Sequence, residues 1–281
     1  MKIRFWGTRG SIPTPGKDKV IYGGNTTCVE VISSDGQRVI IDAGSGIRAL
    51  GEQLMENREH TELYLLITHI HWDHLLGFPF FSPIHDKDCT IKVDGYPACM
   101  KGIRYPFDNQ MGDGFFPISF EDLEAQITYI GVLKREPLRI GSMVITKVAL
   151  THPQGGFGFR FQDQGREMVF ITDNELIPDS EGTGNMDQYI QFCKDAHLLI
   201  HDAQYSPTEI LKRRGWGHSN YEDTIDLAIK AGVQRLLLFH HDPTRTDEDL
   251  KEIEKHCQEM IKRRGSGLQV EAAREGQELV P

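Results

Sequence analysis

At 281 residues, with 39% hydrophobic and 26% charged residues, the chain can bury a sizeable core and has an ordinary globular composition. No segment approaches about eighteen consecutive apolar residues and no signal peptide is recognisable, so we expect a cytoplasmic protein without a membrane span. The formal net charge of -10 disfavours broad nucleic-acid binding, and the five scattered cysteines indicate neither a disulfide framework nor a thiolate zinc site.

Short apolar runs separated by Gly, Pro and Asn predict a succession of strands. In chain order these runs are KIRFWG, TCVEVI, RVIID, LYLLIT, TIKVDG, ITYIG, MVITKVAL, FGFRF, MVFITD, LLIHDA, RLLLFH, LQVEA and ELV. Helices are predicted in IRALGEQLMENR, SFEDLEAQ and MDQYIQFCKDA. Ser219 with Glu222, and Thr246 with Asp249, resemble capping boxes that start two further helices.

Strands outnumber helices, and both halves of the chain contribute both types. This pattern predicts an α/β fold in which two sheets pack face to face with helices outside, a four-layer αββα sandwich. No Pro/Ser-rich linker or low-complexity tract divides the sequence. We therefore expect residues 1–281 to form a single domain.

The stretch THIHWDH, Thr68 to His74, follows the apolar run LYLLI directly. Alternate side chains of an extended segment point to the same side, so His69 and His71 can converge on one metal ion. Asp73 and His74, where the chain turns into a helix, can then reach a second. Neutral imidazole and carboxylate ligands suit zinc, and also manganese or iron. The alternative is a solvated loop rich in histidine.

Two metal ions require more ligands than this stretch supplies, and the same pattern recurs at other predicted strand ends. His152 follows VITKVALT, Asp173 follows MVFIT, and His240 follows RLLLF. Each residue taken alone has an ordinary explanation, as a strand-edge histidine or a turn aspartate. Repetition of a ligand type just beyond an apolar strand is hard to explain by core packing, so the sequence predicts a binuclear metal site.

The His-x-His-x-Asp-His motif with later His, Asp and His resembles the metallo-β-lactamase superfamily over essentially the whole chain. Two divalent metal ions are implied, with zinc preferred and manganese or iron as alternatives. The resemblance implies that Asp42 in IIDAG supports the site; a turn aspartate before glycine is the alternative. It also implies three groups of ligands: His69, His71 and His152 for the first metal, Asp73, His74 and His240 for the second, and Asp173 as the bridge.

The segments LLIHDAQYS, with Asp202, and GWGHSN, with His218, resemble the ribonuclease Z and cyclic-phosphate phosphodiesterase branch of that superfamily. Members carry an additional histidine near the leaving group and an acidic partner for it, which is Asp here where ribonuclease Z usually has Glu. A histidine oriented by a carboxylate can protonate a departing alkoxide near neutral pH. His218 also precedes the predicted Ser219 cap, where free N–H groups could attract a phosphate oxygen. The catalytic set implied is Asp73, His218 and Asp202.

The resemblance therefore implies a binuclear metal-dependent phosphodiesterase acting on a small or cyclic phosphodiester. A thioester or lactone hydrolase would share the metal ligands but would not need the proton donor. A ribonuclease Z-like endonuclease is weakened by the acidic chain and by the lack of a long basic arm, and a non-catalytic metal-binding interaction protein is the alternative of a different class.

The segment Cys99 to Pro117 is interpreted as a lid or as a homodimer contact, and the role of His201 is left open.

Overall fold

The computed structural model describes residues 1–59, 61–96, 104–112, 116–177 and 184–281. Strands and helices alternate along these ranges, with several short 3-10 helices between them. In chain order the elements are β1 (Lys2–Gly7), β2 (Cys28–Ile32), β3 (Arg38–Ile41), α1 (Ile47–Asn57), β4 (Glu62–Ile67), β5 (Thr90–Gly95), α2 (Arg104–Gln110), β6 (Gln126–Tyr129), β7 (Leu138–Ile140), β8 (Met143–Ala149), β9 (Phe157–Asp163), β10 (Arg166–Ile171), α3 (Met186–Cys193), β11 (Leu198–Asp202), α4 (Tyr221–Lys230), β12 (Arg235–Phe239), α5 (Asp247–Arg263), β13 (Gln269–Ala272) and β14 (Glu278–Leu279).

The strands form two seven-stranded mixed sheets. The first has the order β14-β1-β2-β3-β4-β5-β6 and the second β13-β12-β11-β10-β9-β8-β7. Strands β3 to β6 run parallel in the first sheet, and β10 to β13 run parallel in the second. Parallel strands end at the same edge of their sheet, so the residues that follow β3, β4, β10, β11 and β12 are brought together.

Three apolar clusters define the layers. One joins buried side chains of both sheets, such as Phe5, Phe159 and Phe239, and forms the core between them. The outer face of the first sheet packs against α1 and α2, and the outer face of the second packs against α3, α4 and α5. The predicted αββα sandwich is therefore confirmed. The single-domain assignment remains a prediction.

The helix predicted in SFEDLEAQ is wrong. Ser119 and Asp122 do cap one another, but they close only a 3-10 turn at Phe120–Asp122. Further along, the Ala125 N–H donates to the Ile84 carbonyl and the Gln126 N–H donates to the Cys89 carbonyl, which joins the chain to the first sheet as β6. Pairing with a distant strand outweighs the local helical pattern.

Of the two predicted capping boxes, the one at Thr246 is confirmed. Its hydroxyl accepts the Asp249 N–H at 3.1 Å, and the Asp249 carboxylate accepts the Thr246 N–H at 2.8 Å. The Ser219 box is wrong by one residue, because Asn220 caps α4 by accepting the N–H groups of Glu222 and Asp223. Those two N–H groups are therefore bound within the protein, and the phosphate contact at this helix start stays a prediction.

The Cys99 to Pro117 segment lies partly outside the described residues. Its described part includes α2, which packs Phe107 against Phe78 with ring centroids 4.2 Å apart. The choice between a lid and a dimer contact therefore stays a prediction. Among the helices in the described ranges, none has the length and apolarity that crossing a bilayer requires.

Candidate metal centre

The candidate site lies at the edge where parallel strands of both sheets end. Three of its residues, one or two positions beyond those ends, have left-handed backbone conformations: Asp42 at φ 62°, Asp173 at φ 51° and His240 at φ 57°. Such values are uncommon for residues other than glycine and cost about 1–3 kcal/mol each. Strain of this kind persists where surrounding structure holds it, and here it turns three polar side chains toward one point.

The THIHWDH stretch supplies the next group of side chains. After β4 the chain stays extended through His71, at φ -67° and ψ 154°, and then forms a 3-10 helix over Trp72–His74. This turn buries Asp73 and His74, while Trp72 remains 71% exposed. The extended part and the short helix thus direct the ligand-type side chains to two neighbouring places, as the sequence predicted.

Two clusters of possible ligand atoms share Asp173. Within each cluster these atoms lie within 4.8 Å of one another. The clusters are His69, His71, His152 and Asp173, and Asp73, His74, Asp173 and His240.

The two carboxylate oxygens of Asp173 face different clusters. Oδ2 lies 3.6 Å from Nε2 of His69 and 3.9 Å from Nε2 of His152. Oδ1 lies 3.3 Å from Nε2 of His74 and 3.2 Å from Nε2 of His240. One side chain therefore joins both groups, which is the position that a bridging ligand requires.

In the second cluster, neighbouring protein groups bind Nδ1 of each histidine, the ring nitrogen that points away from the cluster. Asp42 accepts a hydrogen bond from Nδ1 of His74 at 2.7 Å and is itself fixed by the N–H and hydroxyl of Thr68. Gln204 Oε1 lies 3.3 Å from Nδ1 of His240. These contacts orient both rings so that Nε2 points inward, toward the carboxylates of Asp73 and Asp173.

The first cluster is held in the same manner. The Gly217 carbonyl accepts from Nδ1 of His152 at 3.0 Å, and the Gln154 side-chain oxygen accepts from Nε2 of His71 at 2.7 Å. The remaining nitrogens, Nε2 of His152 and Nδ1 of His71, then face each other 3.0 Å apart. With these tautomers both nitrogens present lone pairs, an arrangement that a cation bound to both would relieve.

The buried polar atoms test whether metal ions fit. Nε2 of His69 is buried and has no hydrogen-bond partner among the described residues, and the buried Nε2 of His74 faces only carboxylate oxygens of Asp73 and Asp173, each 3.3 Å away. Burial lowers the pKa of His152 to about 4 and that of His69 well below the usual range, so both favour the neutral form that binds metals. The arrangement of inward lone pairs and carboxylates fits divalent cations.

The second cluster differs from the first, because its carboxylates favour a positive charge on His74. Burial opposes a charge on His74, but Asp73, Asp173 and Asp42 outweigh it and raise its pKa well above the ordinary value. The same proximity holds the pKa values of Asp73 and Asp173 well below theirs, despite their burial. Two carboxylates in a buried site thus require positive charge beside them, from a proton or from a metal ion.

His218 and Asp202 adjoin both clusters. Nδ1 of His218 lies 3.2 Å from Oδ2 of Asp202 and 3.8 Å from Oδ2 of Asp173. The His218 ring stacks on His240 at 5.1 Å and meets the His152 ring at 5.4 Å. Burial opposes its charged form, but the Asp202 hydrogen bond and nearby carboxylates outweigh this and raise its pKa. The structure therefore brings together the pair that the sequence singled out.

Three neighbouring residues, including His201, also have clear positions. Nδ1 of His201 lies 2.8 Å from the backbone carbonyl oxygen of Asp202, so His201 helps to hold Asp202 in place. His241 points away from the clusters and lies 2.9 Å from the Ala273 carbonyl. The Ser219 hydroxyl, not a helix cap, donates to the Asn174 carbonyl at 2.6 Å.

Sequence reasoning missed several residues that shape the site. The Ser11 N–H donates to Asp73 at 2.7 Å, from a loop far away in the chain. Gln204, described above, and the buried Glu175 are also in contact with site elements. The sequence offers one weak signal for two of them: Gln204 lies two positions after Asp202, and Glu175 lies two positions after Asp173.

A cavity of about 510 Å³ lies elsewhere, at the beginnings of β11, β12 and β13, where His197, Gln234 and Gln269 line it. None of the clustered histidines or aspartates lines it. It is therefore separate from the candidate metal centre, which lies where these parallel strands end.

Comparison with known proteins agrees with this geometry. Residues 37–241 match the beta-lactamase superfamily domain, so the chain belongs to that superfamily and is a hydrolase of its metallo-β-lactamase type. Ribonuclease Z of Lacticaseibacillus casei is 23% identical, over 85% of this chain and 84% of that protein.

Two solved structures share the fold over nearly their whole lengths. The metallo-β-lactamase fold protein YhfI of Bacillus subtilis has a TM-score of 0.72 at 19% identity, covering 99% of this chain and 98% of that one. A diphosphatase of the PhnP family has a TM-score of 0.66 at 16% identity, covering 100% of this chain and 97% of the other. These structures agree with the predicted superfamily, which the domain match over residues 37–241 confirms.

Gly217 provides a test of how closely the site is packed. Its φ is 85°, and an added Cβ would lie 2.0 Å from Nδ1 of His152. We expect Gly217→Ala to displace His152 and to lower metal content, measured by elemental analysis. Gly215→Ala is the matched control, because Gly215 has φ 83° but no atom within 4 Å of its added Cβ. Equal metal content in both variants would contradict the prediction.

Proposed function

We propose that this protein is a binuclear metal-dependent phosphodiesterase acting on a small or cyclic phosphodiester. The observation that supports this most is the buried pair of His218 and Asp202, placed between a histidine of each cluster. Metal ligands alone serve many reactions in this superfamily, whereas a proton donor is needed where the leaving group is a poor one.

The proposed ligands are the members of the two clusters. When bound, two divalent ions, zinc preferred and manganese or iron possible, would supply Lewis acidity that activates water and offsets charge on the phosphoryl oxygens. Asp173 would join the two sites through its separate oxygens. The Ser11 N–H holds Asp73, which we also place in the catalytic set. The proposed ligand groups are His69, His71 and His152, then Asp73, His74 and His240, with Asp173 shared.

His218 would act on the leaving group. Asp202 holds its Nδ1, so Nε2 is the nitrogen available to carry a proton to the departing oxygen. The Asp202 carboxylate also accepts the Ser219 N–H at 3.1 Å, which fixes the backbone beside the ring. Stabilisation of the charged ring by Asp202 keeps a proton on His218 before transfer, and stacking on His240 sets the ring plane.

Two observations bear on the substrate. The net charge of -10 supports a small substrate, because a long polyanion would be repelled overall. The name ribonuclease Z, carried by the Lacticaseibacillus casei relative, supports RNA cleavage as a second candidate. Ribonucleases and diphosphatases both cleave phosphorus–oxygen bonds, so both similarities favour phosphoryl chemistry over thioester or lactone hydrolysis.

A substrate panel tests the proposed function. We expect metal-loaded protein to cleave cyclic nucleotides and bis-p-nitrophenyl phosphate faster than a precursor transfer RNA, a thioester or a lactone. The comparison uses kcat/KM for each substrate. A large preference for the precursor RNA would replace this proposal with the second candidate, and cleavage of the thioester or lactone alone would overturn both.

Metal content tests the proposed ligands. We expect about two metal ions per chain by elemental analysis, with His69→Ala and Asp173→Ala each lowering this number sharply. Asp173→Ala should affect both ions, because its two oxygens face different clusters. His256→Ala on α5, with a side chain 45% exposed, is the control that should keep full loading. Unchanged loading in both site variants would refute the ligand assignment.

The role of His218 is tested by comparing leaving groups. We expect His218→Ala to keep its metals but to lose roughly 10²–10⁴-fold in kcat with a cyclic nucleotide, whose alkoxide needs a proton. It should lose far less with bis-p-nitrophenyl phosphate, whose leaving group scarcely needs one. Asp202→Asn should follow the same trend more weakly. Equal losses on both substrates, with metal content intact, would mean that His218 binds phosphate instead.

A further inference from the structure

The loop that carries His218 is tied to a buried carboxylate. Glu175 is 4% exposed, and its Oε2 accepts the N–H groups of Gly215 at 2.8 Å and of Gly217 at 3.1 Å. Its Oε1 lies 3.7 Å from Nη1 of Arg214. The Glu175 side chain thus binds the backbone amides of Gly215 and Gly217, which directly precede His218 in the chain.

The backbone around Glu175 holds the other side of the same loop. The Leu176 N–H donates to the Ser219 hydroxyl at 3.0 Å, and that hydroxyl donates to the Asn174 carbonyl. The N–H of Glu175 donates to the Thr151 carbonyl at 2.9 Å, beside His152. The segment Asn174–Leu176 is therefore anchored to Thr151, the residue before His152, and contacts the loop on both sides of His218.

The loop has little conformational preference of its own. Gly215 and Gly217 both have positive φ, and glycine populates these and other conformations at similar cost. The Gly217 carbonyl must nevertheless stay in place to accept from Nδ1 of His152. The intervening Trp216 is 59% exposed and contributes no buried anchor. One local hydrogen bond, from the Trp216 N–H to the Arg213 carbonyl at 3.1 Å, supports this turn, and the Glu175 carboxylate adds the two bonds that fix both glycine amides.

We infer that Glu175 is a positioning residue, which fixes the Gly215–Gly217 loop and thereby places His218 over the site. Its carboxylate touches neither cluster directly; it acts through the two glycine amides. The consequence for leaving-group protonation rests on the proposed phosphodiesterase function, but the structural role does not.

Hydrogen exchange tests the structural role without any substrate. In Glu175→Ala the amides of Gly215 and Gly217 lose their acceptor, so exchange in peptides covering 214–219 should become about tenfold faster. Glu175→Gln, which keeps an acceptor oxygen, should restore protection. Should the alanine variant unfold, Glu175→Asp, one methylene shorter, should show the same deprotection. Unchanged exchange in both the Ala and Asp variants would overturn the inference.

Glu209→Ala is the matched control. Glu209 is a half-buried carboxylate that, like Glu175, accepts a backbone N–H, from Ser206 at 2.8 Å, and lies beside an arginine, Arg245. Within the part of the chain that the structure describes, its carboxylate forms no hydrogen bond or ion pair with the His218 loop, so exchange at 214–219 should match that of the wild-type protein. A loss of protection equal to that in Glu175→Ala would show that the loop responds to general destabilisation, and this would overturn the specific role.

Kinetics then test the functional consequence. With metal content measured in parallel, Glu175→Ala should lose roughly 10–10²-fold in kcat on a cyclic nucleotide, with little change in KM and a much smaller loss on bis-p-nitrophenyl phosphate. Equal losses on both substrates would overturn the link to His218. If the wild-type protein cleaves neither diester, the proposed function fails, and the exchange experiment alone decides the role of Glu175.

Discussion

The shared carboxylate of Asp173 is the constraint on which the site depends. Its two oxygens face separate groups of imidazoles inside a buried pocket, where an uncompensated charge is costly. Each imidazole must therefore present the correct nitrogen, and each does so because its other nitrogen is bound by a protein group. Those contacts come from Asp42, Thr68, Gln154, Gln204 and Gly217, in five parts of the chain. The surrounding loops are thus held in fixed conformations by the need to orient the imidazoles around Asp173.

The topology explains how so many distant residues meet. Parallel strands in both sheets end at one edge, and the chain leaves three of those strands through left-handed aspartate or histidine residues. These conformations turn the side chain inward where an extended residue would carry it past the site. The packed core between the sheets holds both edges in register. The fold therefore converts a one-dimensional pattern, a ligand type after each apolar run, into a compact cluster.

Much of this could be predicted because the pattern is local. His69 to His74 form one short motif, and His152, Asp173 and His240 each follow an unmistakable strand. The layered fold was predictable from alternation of strands and helices. The segment at Ser119 was not, since its pairing with Cys89 and Ile84 depends on chain brought from elsewhere. The shift of the α4 cap to Asn220 has the same origin: tertiary contacts bind the Ser219 hydroxyl and remove it from the helix.

The tryptophans give the molecule an optical property that follows from the loop structure. Trp6 is buried, and its indole N–H donates to Glu30. Trp72 and Trp216 are exposed, the first between His71 and Asp73 and the second just before Gly217 and His218. Water-exposed indoles emit at longer wavelengths and are open to collisional quenchers, whereas a buried one is shielded. Intrinsic emission thus divides into a constant component from the core and a variable component from the two sides of the candidate site, with no added label.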